Sequence, residues 1–326
     1  MSGPQERVRF VLLAWNRPDL EARCIASIRA QTDPNWRLII VDNGSFPPFA
    51  LTAEAAVDSR IRVIRNESNL GYAAGMNLGL AHAEAEFLVP INGDVVLRED
   101  YVAELSRRYE QCVRERIGAL APLVYRGTPE EPRGIECRGW YLRGRFSLIS
   151  DVHMPDGEEV FGGSGACGAY LAKAVRQVSP EEVFDSSYFA YGEDIDLHFR
   201  LHYAGWRCRY SESLVGWHRV SAYSGVAGSA LDAHADFQSY ILANRVRNIV
   251  KYLSCRDLVW FGPPILVTEV GMFLSSVLLR RPRFGPYRKA YAAVWADREK
   301  LLAQRREIQR QRGMSSGELK ALTRGI

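Results

Sequence analysis

Two acidic segments carry the residue types that group-transfer chemistry needs. In INGDVV (91–96), Asp94 follows the apolar run EFLVPI, which Asn92 and Gly93 break, so its carboxylate sits where a buried strand ends. A carboxylate at such an edge can hold a hard divalent cation against a diphosphate, although Asp serves equally as a turn residue or helix cap. In GEDIDLHFRLHYAG (192–205), Leu197, Leu201 and Ala204 share one helical face, so a helix is expected to open at Gly192 with Glu193, Asp194 and Asp196 in its first turn. Acids there complement the helix dipole, and the helix end is expected to keep Asp194 ionised at neutral pH. FGGSGACGAY (161–170), with Ser164 and Gly165, is small enough for a sugar to approach its backbone and reads equally as a glycine-rich turn. In the helical segment 236–253, Arg245 and Arg247 can reach a diphosphate or form surface salt bridges.

The elements that must position these groups alternate. Strands are expected at 8–15, 36–42, 61–65 and 86–91, with a helix from about Leu20 to Ala30 and further helical material between the later strands. Strand–helix alternation implies an α/β protein with a parallel sheet, and the strand ends then share one edge. That edge collects Asn16, Asp42, Asn43, Ser45, Asn69, Gly71 and Asp94, and ligands bind at such edges. The first strand runs into AWNRPDL, so neither a GxGxxG turn nor a phosphate-binding GxxxxGK[ST] loop follows it. In NLGYAAGMN (69–77), glycines let backbone approach a ligand, and the N–H groups at the start of the following helix can meet an anion.

The composition, 47% hydrophobic and 25% charged, argues against extensive disorder. Six cysteines without a CxxC pair fit reduced thiols in the cytoplasm, and MSGPQERVRF lacks the apolar segment of a signal peptide. From Arg280 onward 13 Lys and Arg face 4 Asp and Glu, a net +9; the chain totals +4, so residues 1–279 carry −5. A basic tail on an acidic body suits an anionic surface or a solvated helical face. Residues 258–279 are apolar and long enough for a span, but Pro263, Pro264 and Glu269 argue against a simple one. A helix lying on the inner membrane leaflet, a buried helix and a homodimer interface remain open.

Taken together, VLLAWNRPDL, IIVDNGS, NESNLGYAAGMNLGL, INGDVVL, YFAYGEDIDLHFRLHYAGWRCRY, LVGWH and NRVRNIV resemble the family 2 glycosyltransferases, in the bacterial rhamnosyltransferase-like branch. The resemblance spans residues 8–250. It implies the GT-A nucleotide-diphospho-sugar transferase fold, a Rossmann-like mixed sheet flanked by helices. The catalytic domain would cover 1–230, and a C-terminal helical extension, membrane-associating or dimerising, 231–326. By resemblance, Asp42 contacts the base or ribose with Asn16 and Ser45 nearby. Asn43, Asn69, Gly71, Gly75, Asn77 and Asn92 belong to the donor side. Asp94 is the surviving carboxylate of a DXD-type metal motif whose first position here is Asn92, and His218 is a further metal or diphosphate contact. The implied cofactor is Mg²⁺ or Mn²⁺. Asp194 would be the general base and Glu193 would orient the acceptor or support Asp194, while Ser164, Gly165, Arg245 and Arg247 lie toward acceptor or diphosphate. The implied reaction is a single inverting displacement, with thymidine-diphosphate rhamnose as the expected donor and a glycan or polyprenyl-linked acceptor at the inner membrane face; no nucleic-acid partner is expected. A sugar nucleotidyltransferase would need a basic glycine-rich loop after the first strand, which AWNRPDL is not. A catalytically silent sugar-binding scaffold stays open because the metal motif keeps one acid.

Overall fold

In the computed structural model, residues 6–81, 84–151, 153–219, 235–278 and 284–325 are described. The amino-terminal half alternates β1 (Val8–Ala14), α1 (Pro18–Arg29), β2 (Trp36–Asn43), α2 (Ala53–Ala56), β3 (Ile61–Asn66), α3 (Tyr72–Leu80) and β4 (Phe87–Asn92). These four strands pair in parallel in the order β4–β1–β2–β3, as the alternation requires. β1 and β4 are covered on both faces, which is why both read as continuous apolar runs. β3 forms the edge, half exposed, with Arg62 and Arg65 along it.

The next elements are β5 (Val95–Leu97), α4 (Tyr101–Glu115), β6 (Ile117–Gly127), β7 (Pro132–Cys137), β8 (Tyr141–Leu142), β9 (Leu148–Ile149), β10 (Glu159–Val160), β11 (Ala169–Leu171) and α5 (Ala172–Val178). Then come α6 (Glu193–Tyr203) and β12 (Arg207–His218). β11 inserts antiparallel between β4 and β6, and β12 runs parallel to β6, giving a mixed ten-stranded sheet. Antiparallel pairing of β12 with β5 sets His218 opposite Val95, and the Arg219 N–H donates to the Asp94 carbonyl at 3.0 Å.

Five helices follow: α7 (Ala235–Tyr252), α8 (Asp257–Leu278), α9 (Phe284–Ala296), α10 (Arg298–Gln311) and α11 (Ser316–Ala321). α7 turns a polar stripe, Asn244, Asn248, Lys251 and Tyr252, into the protein at helical spacing, and all four are buried. The Lys251 ammonium, 2% exposed, donates to Asp185 at 2.7 Å and to Asp196 on α6 at 2.9 Å. The Tyr252 hydroxyl adds a 2.7 Å bond to Asp196. α10 closes the carboxyl end of α7: the Arg305 guanidinium donates to the carbonyls of Val250 and Leu253, and the Gln309 amide to those of Lys251 and Tyr252.

Removing one member of a buried ion cluster strands the others. Lys251→Ala should therefore destabilise the protein by about 3–5 kcal/mol, whereas Lys320→Ala on the surface should change little; thermal denaturation of both variants is the check.

Candidate active site

The two acidic centres are joined through one loop. The Asn92 N–H, at the end of β4, donates to the Ala166 carbonyl at 2.9 Å, so the 161–168 segment lies over that strand end. In the same segment, Gly165 presses against Asp194: a Cβ on Gly165 would stand 2.8 Å from Asp194 Oδ2, and the Gly165 backbone N–H bonds the carboxylate. A larger residue at 165 would push into the acid. The Tyr72 hydroxyl reaches the Gly165 carbonyl from the opposite side at 3.3 Å.

α6 opens at Gly192 as expected, with φ at +86°. Tyr191 before it is also left-handed, at φ +67°. That conformation is unusual for an aromatic residue and occurs where a functional turn is over-determined by its surroundings. Here α7 supplies the restraint: the Asn244 amide donates to the carbonyls of Ala190 and Tyr191 (2.9 and 2.6 Å), and Asn248 donates to that of Gly192 (3.0 Å). Tyr188 is core, its hydroxyl donating to Asn248 at 2.7 Å, whereas Tyr191 is exposed. Burial and then the Glu193 and Asp94 charges push the Tyr191 hydroxyl up, so this ring feels both acidic centres.

The three first-turn acids differ by environment. Burial, the Asp194 charge and Asp196 push Glu193 well above the usual carboxylate range, and its Oε2 is buried without a hydrogen-bond partner. Burial raises Asp194 to about 6 against the backbone N–H groups of Ile195, Asp194 itself and Gly165. Burial thus outweighs the helix end in setting the direction of the shift, yet at neutral pH Asp194 is mostly ionised, as the helix position leads one to expect. Asp196 is pulled the other way: burial opposes its charge, but Lys251 and Arg200 hold it ionised.

At the other centre, His218 Nε2 stands 3.2 Å from Asp94 Oδ1, and its Nδ1 stands 3.0 Å from Glu136 on β7. Burial disfavours the imidazolium, yet hydrogen bonds to Asp94 and Glu136 raise His218 to about 10. Among the described residues no group of three or more His, Cys, Asp or Glu forms a metal cage. The pair nonetheless fits a divalent cation. Neighbouring ligands of an octahedral ion with bonds of about 2.1 Å lie about 3 Å apart, and a carboxylate behind the distal nitrogen is the usual support of a ligating histidine. Loading such an ion would displace the imidazole proton.

The nucleotide-side residues come together, but most are occupied. Asp42 is 1% exposed; its oxygens accept from the N–H groups of Ser45 (2.9 Å) and Phe49 (3.1 Å). The Asn16 N–H donates to Ser45 Oγ at 3.2 Å, and Asn16 Oδ1 accepts from Phe46 N–H at 2.8 Å. Instead of offering a bare carboxylate, Asp42 shapes loop 45–49. The Asn43 amide ties Asn66, Asn69 and the backbone at 70–71 together. Asn77 clamps Phe184 through both backbone groups, at 2.7 and 2.9 Å. The Tyr72 N–H, expected to face an anion, donates to the Phe189 carbonyl at 2.6 Å. Gly71, at φ +84°, has that carbonyl where a Cβ would go, and Gly75 faces Leu13. Asn69 Oδ1 accepts the Gly71 N–H at 2.8 Å. Ser164 is buried, its Oγ accepting from the Ala166 N–H at 3.3 Å.

Of the two readings of the arginines, a diphosphate contact or salt bridges, the structure places both side chains in ion pairs. Arg245 pairs with Glu269 of α8 and donates to the carbonyls of Arg145 and Phe146. Arg247, buried, donates to Asn244 and to Asp297, both at 2.7 Å. Arg245 fastens α7 to α8 and to residues 145–146, and Arg247 fastens it to Asp297, so each guanidinium is shared among separate protein partners. Glu136, Glu21 and the α7 asparagines were not singled out from the sequence. Glu21 interrupts the apolar stripe of α1, and that was its signal: it is buried, accepts the Trp15 N–H at 2.7 Å and packs beneath Gly93 of the INGD turn. Glu136 lies on a short strand with no local pattern to mark it.

The profile described as glycosyl transferase family 2 matches residues 10–176, just over half of the chain. The chain belongs to this family. Among its relatives is the N-acetylglucosaminyl-diphospho-decaprenol L-rhamnosyltransferase of Mycobacterium tuberculosis, 28% identical over 260 residues, covering 70% of this chain and 81% of the relative. Two other curated members are matched over only 36% and 29% of their own length. The fold is that of the GT-A glycosyltransferases: S. aureus TarS 1–349 in complex with UDP-GlcNAc superposes with a TM-score of 0.57 at 13% identity, over 97% of this chain and 90% of that one. The mannosyltransferase PcManGT from Pyrobaculum calidifontis, in complex with GDP-Man and Mn²⁺, gives 0.51 at 15% identity over 97% and 85%.

The raised Asp194 couples this family 2 site to stability. Its pKa lies above the ordinary 3.8 in the fold, so its contribution is most favourable at low pH and is lost as pH rises through about 4 to 6. Asp194→Asn should therefore melt a few degrees higher than wild type at pH 8, with the gap closing below pH 4; melting curves across that range are the check.

Proposed function

We propose that the chain is an inverting glycosyltransferase that moves a sugar from a nucleotide-diphosphate donor to a hydroxyl of a glycan or polyprenyl-linked acceptor. The observation that carries this reading is Asp194, raised to about 6 at the opening of α6 and bonded by Gly165, whose loop lies on the strand end leading to Asp94. A base with a pKa just below working pH is well matched to accept a proton from an attacking hydroxyl. Glu193, its carboxyl pushed toward the neutral form by burial and by the Asp194 charge, supports Asp194 or orients the acceptor. In this reading the ordered loop 42–49 with Asn16 and Ser45 shapes the nucleoside end of the cleft, and Asn92 and Asp94 face the diphosphate. A divalent cation held by Asp94 and His218 would supply positive charge for the leaving diphosphate. One displacement then suffices, with attack opposite to departure.

The mycobacterial relative's name favours rhamnose as the transferred sugar, for which we propose a thymidine-diphosphate donor, and a polyprenyl-diphosphate-linked sugar as acceptor. Mn²⁺ beside GDP-Man in PcManGT favours a divalent metal. The GT-A part is assigned to 1–230 and the helical extension to 231–326.

The experiment is nucleoside-diphosphate release from thymidine-, uridine- and guanosine-diphosphate sugars, with Mg²⁺ or Mn²⁺, with chelator, and with direct donor binding on the same panel. One donor should be consumed, with metal, and Asp94→Asn should abolish release. Asp194→Asn should retain donor binding and lower transfer by about 10²–10⁴-fold. In the wild type, transfer should fall as pH drops through about 6, where Asp194 becomes protonated. Full activity in chelator removes the metal; neither binding nor release from any donor favours the silent scaffold.

A further inference from the structure

Among the described residues, one helix is long and apolar enough to cross a membrane, over Asp257–Leu274 of α8, and little of it is buried. Its two faces differ. Phe261 and Ile265 pack into an apolar cluster with Phe146, Phe199, Tyr203 and Tyr252. One turn further, Glu269 accepts from the hydroxyls of Tyr287 (2.8 Å) and Tyr291 (2.7 Å) and pairs with Arg245 of α7. The other face presents Val259, Trp260, Leu266, Val267, Val270 and Leu274, all exposed, with Val267 at 73%.

Basic side chains edge this strip, one of them, Arg298, lying 3.7 Å from the exposed Glu299. Both acids of α8 are directed inward and neutralised, Glu269 by Arg245 and Asp257 by Arg312. Two exposed tryptophans each carry a cation. Lys320 lies 3.6 Å from the ring centre of Trp260, and Arg298 lies 5.0 Å from that of Trp295 on α9. Trp295 falls one turn beyond Tyr291, whose hydroxyl is bound to α8. An apolar helix face edged by tryptophan and basic side chains has the chemistry of the bilayer interface, where the indole sits among headgroups and the cation meets anionic lipid.

We infer that the exposed face of α8, with the Trp260–Lys320 and Trp295–Arg298 pairs at its margins, docks in the plane of an anionic lipid bilayer. Spanning would require α8 to abandon Phe261, Ile265 and the Glu269 cluster, leaving an acid in hydrocarbon. α7 is gripped by α8 through Arg245 and holds the Tyr191–Gly192 turn through Asn244 and Asn248, so the docked face and the acidic centres belong to one packed assembly.

The test is co-flotation of the full chain with vesicles of phosphatidylcholine, alone or with roughly a third phosphatidylglycerol. Binding to the anionic vesicles only, weakened by salt and reversed by alkaline carbonate, is expected. Leu266→Glu/Val270→Glu should lower partitioning by about tenfold or more with an unchanged far-ultraviolet circular dichroism spectrum. Lys320→Ala, which leaves the apolar face intact, should lower it less. Carbonate-resistant binding would overturn the in-plane arrangement in favour of a span. Equal binding to both vesicle types would overturn the role of charge. No vesicle binding overturns the inference outright; a dimer in light scattering that the double variant dissociates would then assign the face to a second copy.

Discussion

Lys251 is the constraint on which the acidic helix depends. Its ammonium is sealed between Asp185 and Asp196, so α7 can occupy only the position in which that charge is matched on both sides. Gln304 of α10 joins the same cluster through Asp185 at 2.8 Å. From this fixed point the asparagines of α7 reach the carbonyls of 190–192 and hold a left-handed tyrosine–glycine pair that the chain would not adopt alone. The direction in which α6 starts, and hence where Glu193 and Asp194 stand, follows from a helix more than forty residues further on.

Three acids in one helical turn give three electrostatic states. Asp196 is pulled down because two cations meet it; Glu193 is pushed well up by burial and the neighbouring Asp194 charge; Asp194 lies between, held by backbone N–H groups that only partly offset burial. Uniform solvation would make them alike, and a catalytic pair needs them different. The opposite pattern governs Asp94, whose partner His218 is itself backed by Glu136, a chain of charge that crosses from the turn before β5 through β12 to β7.

The amino-terminal strands were legible because each is a local apolar run between breakers, and the opening of α6 at Gly192 was legible from periodicity. Strand order beyond β4 was not: the run IGALAPLV of β6 is visible, but its parallel partner lies some ninety residues away, and nothing local fixes which strand lies beside it. Polar side chains at the sheet edge were found but not their use. Asn43 and Asn77 have the residue type of ligand-binding groups, yet their amides are filled by backbone that folds back from 66–71 and 184. For Arg245 and Arg247 the sequence leaves a diphosphate contact and a salt bridge equally open, since it gives a cation but not the distant carboxylate beside it.

The placement of β12 has a consequence for how the molecule is made. Without Arg207–His218, most of β6 is a bare edge of apolar residues, and Asp94 has no imidazole beside it. A nascent chain emerging from the ribosome therefore carries an unfinished sheet until Arg207–His218 has been made. Its sticky border is closed by the same strand that completes the acidic centre. Assembly of the chemistry and protection from aggregation thus arrive in a single late event.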